Sequence, residues 1–252
     1  MDMSSRKAEA QGRDLGWLLW AGLPALAVVL CLLAPLAGAE RWHALVLSEQ
    51  TGFIENSTVV LLVAALVVCG GLMARRQLPA ISRVLLVLVF VCSLYFAGEE
   101  ASWGQHWLGY RTPKSVRKAN KQGEFNLHNL ARYRYWLNAT PRRLMMLVTI
   151  VGGVLLPLAA LRWHAAWQAA RHWLYWVVPT WRLVPAAAVT VLSDLPEDLL
   201  KPGPHLAHDS YLALALYWPA QEFRELGFAM VIFLYVFSIR ARLGRRPTAP
   251  AP

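Results

Sequence analysis

Apolar residues in this chain come in long runs separated by shorter polar intervals. This is neither the alternation of a half-buried strand nor the stripe of a surface helix. About 20 consecutive apolar residues is the length a helix needs to cross a bilayer. Such segments lie near Leu15–Ala37, Thr58–Ala74, Ile81–Gly98, Leu144–Leu161, His172–Leu192 and Tyr211–Ile239. Inside a bilayer the backbone must satisfy its own donors and acceptors, which a helix does. The pattern therefore predicts an all-α polytopic bundle of about six spans. The longest polar interval, residues 98–143, separates the third span from the fourth. Two segments are irregular. Pro179, Arg182 and Pro185 interrupt the fifth, and Glu222, Arg224 and Glu225 fall in the first half of the sixth.

Composition agrees. Of 252 residues, 57% are hydrophobic and 16% charged, which leaves little room for a separate soluble domain. Residues 1–14 form a charged N-terminal segment, 15–240 the membrane domain and 241–252 a disordered basic tail. The first run follows its charged segment with no clear cleavage site, so it reads as a retained span. Cys31, Cys69 and Cys92 lie in three different apolar runs and suggest no disulfide framework.

The net charge of +10 changes the picture in two ways. Its basic residues flank apolar segments, which suits anionic lipid head groups; no nucleic-acid motif accompanies them. Their distribution also orients the chain. Arg6, Lys7 and Arg13, then Arg75, Arg76 and Arg83, then Arg162 and Arg171, then Arg240, Arg242, Arg245 and Arg246 mark one side as cytoplasmic, with both termini on it. The interval after Glu100 runs against this count. It holds Arg111, Lys114, Arg117, Lys118, Lys121, Arg132 and Arg134, yet span alternation places it outside.

Candidate chemistry gathers on that same outer face. Glu55 precedes the second span, Glu99 and Glu100 end the third, Glu124 and His128 follow, and Glu222 and Glu225 lie in the outer half of the sixth. An acid within a span costs on the order of 2.5–3.5 kcal/mol on insertion scales, so its retention points to function. In QEFRELGF, Gln221, Glu222 and Glu225 have helical spacing that lets them face one groove. In NKQGEFNLHN, Asn120, Glu124 and His128 recur every fourth residue and would form a stripe if helical. In GEEASWGQHW, Glu99, Trp103 and His106 share a stripe while Glu100 points elsewhere. The plainer readings are that Glu99 and Glu100 mark the water interface, that Glu222 and Glu225 pair with Arg224 or Arg182, that Trp173 and Trp176 are interfacial anchors, and that Arg142 and Arg143 open a helix in solvent. The joint pattern of acids, histidine and carboxamides on one face is what these explain badly.

The strings GEEASWGQ and NKQGEFNLHN resemble an uncharacterised family of bacterial polytopic membrane proteins carrying GEExSWGQ and then NxQxExNLHN. The resemblance covers about a tenth of the chain. It implies a multi-pass protein of a bacterial inner membrane and points to Glu99, Glu100, Trp103, Gln105, Asn120, Glu124, Asn126, His128 and Asn129. It implies no activity.

The residues themselves suggest an enzyme working at the membrane surface on a lipid or lipid-linked substrate, by hydrolysis or group transfer. Glu99 or Glu100 would be its general base, with His128 at the centre. Glu124, His128, Glu222 and Glu225 would hold a divalent metal, and Arg111 with the basic stretch after it would hold phosphate. Trp103, Gln105, Asn120, Asn126 and Asn129 would contact substrate, with Glu55 and His106 nearby. GxSxG, HExxH and desaturase histidine boxes are missing from the sequence. A small proton- or ion-coupled transporter and a non-catalytic partner subunit of envelope assembly are the alternatives. Membrane lipids are the expected partners, with a second membrane protein in the last case.

Overall fold

A computed structural model describes residues 14–47, 52–120, 123–127, 129–130, 133, 135–162, 173–193, 195, 199 and 210–243. Six helices in it are long and apolar enough to cross a membrane: Leu18–Ala37, Phe53–Met73, Ala80–Glu100, Tyr135–Arg162, Leu174–Leu192 and Ala213–Leu243. These are the first to sixth spans below. The protein is an all-α polytopic bundle.

The sixth span is the axis of the bundle. In its most apolar stretch 72% of residues are buried, against 11–39% in the others. Met230, Leu234, Val236 and Ile239 are enclosed on every side, and the second and fifth spans pack along it. The outer spans turn Val60, Val67, Val84 and Leu88 outward. Apolar exposure of this kind is expected where the surroundings are lipid tails.

Lipid removes most of the hydrophobic driving force between helices, so close packing at small residues must supply cohesion. Two sites show it. A Cβ on Gly227 would stand 2.4 Å from the Thr190 hydroxyl oxygen, and one on Gly153 would stand 2.7 Å from the Ala187 Cβ. Only glycine lets the fifth span approach the sixth and fourth so closely.

The start of the first span, the start of the fifth and the end of the sixth meet in a polar clasp. Asp14 accepts hydrogen bonds from the Ser238 hydroxyl (2.7 Å), from the Leu15 N–H (2.8 Å) and from the Thr180 hydroxyl. Arg182 donates to the Leu15 carbonyl (2.8 Å), and Tyr235 to that of Val177 (3.0 Å). The chain is extended at Val178 and Thr180, beside Pro179, so the fifth span is broken there as its prolines predicted. The clasp satisfies groups the break exposes. Arg182 is thereby committed to the first span. Trp176, expected as an interfacial anchor, is buried in the bundle; Trp173 is exposed.

Several span boundaries run past the sequence reading and take in polar residues, as where the sixth continues through Arg240 and Arg242 to Leu243. The second span begins at Phe53 and takes in Glu55, the third continues through Glu99 and Glu100, and the fourth begins at Tyr135 and takes in Arg142 and Arg143. Polar residues that looked like span ends are helical, and neighbouring segments cover Glu55, Glu99, Glu100 and Arg142 in whole or in part, while Arg143 is exposed.

Candidate functional site

Glu99 and Glu100 occupy the last turn of the third span, 2% and 9% exposed. Burying two adjacent carboxylates is costly unless each finds partners. They find different ones, because successive helical residues point about 100° apart.

Glu99 faces the polar interval that follows. Its Oε1 accepts from the Trp103 indole N–H (2.7 Å) and its Oε2 from the Leu127 backbone N–H (2.7 Å). Trp103 reaches back because Ser102 and Trp103 both adopt positive φ, 42° and 53°, reversing the chain just past the helix. Such backbone conformations cost on the order of 1–3 kcal/mol each for residues other than glycine and persist only where their surroundings impose them. The Trp103 ring then covers Gly98, where a Cβ would stand 2.9 Å from it. Gly104, at φ 84°, completes the reversal.

The second string closes onto the first. Ser102 donates to Glu124 Oε2 (2.6 Å), and the Asn126 amide reaches both that oxygen and Ser102 Oγ at 3.3 Å. The Asn120 amide donates to Asn126 O and Oδ1 at 2.8 and 2.7 Å. Gln105 donates to Thr112 (2.8 Å) and accepts from the Phe125 N–H (2.8 Å). Tyr110 caps the Ser102 and Trp103 carbonyls at 3.1 and 3.2 Å. Ser102, Gln105 and Glu99 of the first motif thus bond Glu124, Phe125, Asn126 and Leu127 of the second. They form a brace over the C-terminal end of the third span.

The brace corrects the helical stripe through Asn120, Glu124 and His128. The helix Lys114–Ala119 ends before it, Asn120 is extended and bridges to Leu130, and Gly123 sits at φ 74°. Asn120 and Glu124 meet through Asn126 instead. Asn129 is half-buried at the edge of this region, Arg111 is exposed, and His106 lies in the short helix Gln105–Leu108. His128 lies outside the described residues, as do Lys121, Arg132 and Arg134.

Glu100 turns the other way, into the bundle. One carboxylate oxygen from each of Glu100, Glu222 and Glu225 lies within 4.8 Å of the others. Glu55 and Arg142 are also within electrostatic reach of Glu100. Two unit charges 4.8 Å apart in a medium of effective dielectric ~20 repel by roughly 3.5 kcal/mol. Such a group persists where a carboxyl keeps its proton or where a positive charge sits among them. Arg142 of the fourth span supplies one, with its Nη2 3.1 Å from Glu225 Oε1. The sequence had placed Arg142 at a solvated helix start and sought a counter-ion in Arg224 or Arg182.

A cavity of about 430 Å³ opens between the third, fourth and sixth spans. Its walls include Val91, Phe96, Leu144 and Ile232, and its polar end is Glu99, Glu100, Asn138, Arg142 and Glu225. Of the acids expected to converge, Glu99, Glu100 and Glu225 line the cavity, Glu222 lies beside Glu100 and Glu225, and Glu55 is within electrostatic reach of Glu100. Glu124 belongs to the brace, and the carboxylate trio that could hold a cation contains Glu100 in its place. Among the sequence-predicted residues, Tyr95, Asn138 and Arg142 had no place; all three line the cavity.

No family model matches this chain, and no curated protein or solved structure is detectably similar to it.

Proposed function

We propose that this integral membrane protein is an enzyme acting at one membrane face on a lipid or lipid-linked substrate, by hydrolysis or group transfer. The observation that carries the reading is the cavity, whose apolar walls between spans end at Glu100, Arg142 and Glu225. Its volume falls within the roughly 300–1,000 Å³ of small-molecule sites. Glu100 is the general base of this proposal. Both oxygens of Glu99 already accept hydrogen bonds, which makes it the positioning residue that holds the outer end of the third span. Arg142 would steady negative charge developing on the substrate. Glu222 and Glu225 would hold positive charge beside that base, either a divalent cation or a cationic group of the substrate. His128 and the exposed basic stretch from Arg111 to Lys118 remain part of the proposal as a second acid–base group and a head-group contact. In this reading the site faces away from the cytoplasm, in a bacterial inner membrane, with both termini cytoplasmic.

The test is a lipid profile of cells carrying Glu100→Gln or His128→Ala, beside the membrane abundance of each variant. Normal abundance with an altered profile is the expected result. Normal abundance with an unchanged profile and full function for both variants overturns the enzyme reading in favour of a partner subunit.

A further inference from the structure

The cavity has the layout of one lipid chain with its head. Glu100 and Val91 both line it and are nine residues apart on one helix, so it runs ~13 Å along the third span, toward the bilayer centre. Its deep part is apolar; its outer end carries the charges. Val91 and Leu144, on the two spans that flank it, are 57% and 58% exposed, so the slot meets the lipid-facing surface sideways. The Tyr95 phenol oxygen is buried on its wall and has no hydrogen-bond partner among the described residues, which leaves a donor at the junction of head and chain.

The charges select the head. Four carboxyl groups, of Glu55, Glu100, Glu222 and Glu225, gather at or near this end, against the two guanidinium groups of Arg142 and Arg224. The acids outnumber the arginines, which disfavours an anionic lipid and favours an ammonium group. Arg142 lies at the cavity end with 28% of its side chain exposed, placed to meet a phosphate.

We infer that the slot seats one acyl chain of a phospholipid with a primary ammonium head of the phosphatidylethanolamine type, its phosphate at Arg142 and its ammonium among Glu100, Glu222 and Glu225. This rests on the lipid reading above and names the lipid.

The whole protein is reconstituted in vesicles containing phosphatidylethanolamine with a photoactivatable diazirine in one acyl chain. Crosslinks are mapped by mass spectrometry. Labelling of residues 91–96 and 144–145 should exceed that of Val67, an outward residue of the second span, by about tenfold. Unlabelled phosphatidylethanolamine should compete, and phosphatidylglycerol should not. Cys92→Trp, at an exposed position on the slot wall, should remove the enrichment. Glu100→Gln with Glu225→Gln should keep the crosslinks and lose the preference over phosphatidylglycerol, which reads the head separately from the chain. Labelling no higher than at Val67, or equal competition by phosphatidylglycerol in the unaltered protein, overturns the inference. Because binding is read without turnover, the two proposals fail separately. Slot labelling with an unchanged lipid profile sinks the enzyme alone. An altered profile without slot labelling sinks the phosphatidylethanolamine site alone.

Discussion

Replacing Glu99 by Gln should loosen the protein locally, whereas the same change at Glu100 should not. Glu99 accepts one N–H at each carboxylate oxygen, from Trp103 and from Leu127. A carboxamide has one oxygen, so one of these donors would meet an NH2 group instead. The loss is one charge-assisted bond, ~1.5–3 kcal/mol, plus a buried donor left unsatisfied, ~1–3 kcal/mol. A net cost of about 3 kcal/mol raises the population of the opened brace roughly a hundredfold. Arg111, Lys114, Arg117 and Lys118 are exposed between the two halves of the brace, so limited trypsin digestion reads that opening directly. Cleavage follows the open population when reclosing is fast. Glu100→Gln removes a carboxyl group from a crowded trio and leaves the brace intact, so its cleavage rate should equal or fall below that of the unaltered protein. Equal rates for the two variants would refute the division of labour between these neighbours.

Two further outcomes follow from the packing and the topology. Gly227→Ala should reduce the folded yield in detergent, because its Cβ would stand 2.4 Å from Thr190, whereas Gly70→Ala, with nothing within 4 Å, should not; size-exclusion profiles compare them. A cysteine at Ser115, in the exposed stretch after the brace turn, should react with an impermeant maleimide added outside intact cells, and labelling only after the inner face is opened would reverse the proposed orientation.

The spans were legible because length and apolarity are properties of each segment alone. The approach of Glu55, Glu222 and Glu225 to Glu100 was also legible, since alternation of spans brings those helix ends together. What escaped the sequence depends on neighbours. Arg142 looked like a solvated helix start until the sixth span placed Glu225 3.1 Å from it. The stripe at Asn120, Glu124 and His128 assumed a helix, and Gly123 at φ 74° carries the chain the other way. The brace joins residues 20 to 28 apart, as in Gln105 with Phe125 and Glu99 with Leu127. No local periodicity encodes such pairs.

The adjacent carboxylates make sense as a coupled device. In the proposed reading Glu100 is a general base, and such a base is useful only if held still, yet the last turn of a helix is where a span frays. Glu99 pins that turn to the loop, and the strained reversal at Ser102 and Trp103 lets the indole reach it. Glu100, one residue on, is rotated into the bundle and held beside the cavity. The conspicuous motif is therefore mainly scaffolding for one of its own residues, and the partners of that residue come from segments that carry no motif. Arg142 and Glu225, 83 residues apart, form the ion pair at the cavity's polar end. Substitutions in the strings should then act first on local stability, and substitutions at Arg142 and Glu225 first on what the cavity holds.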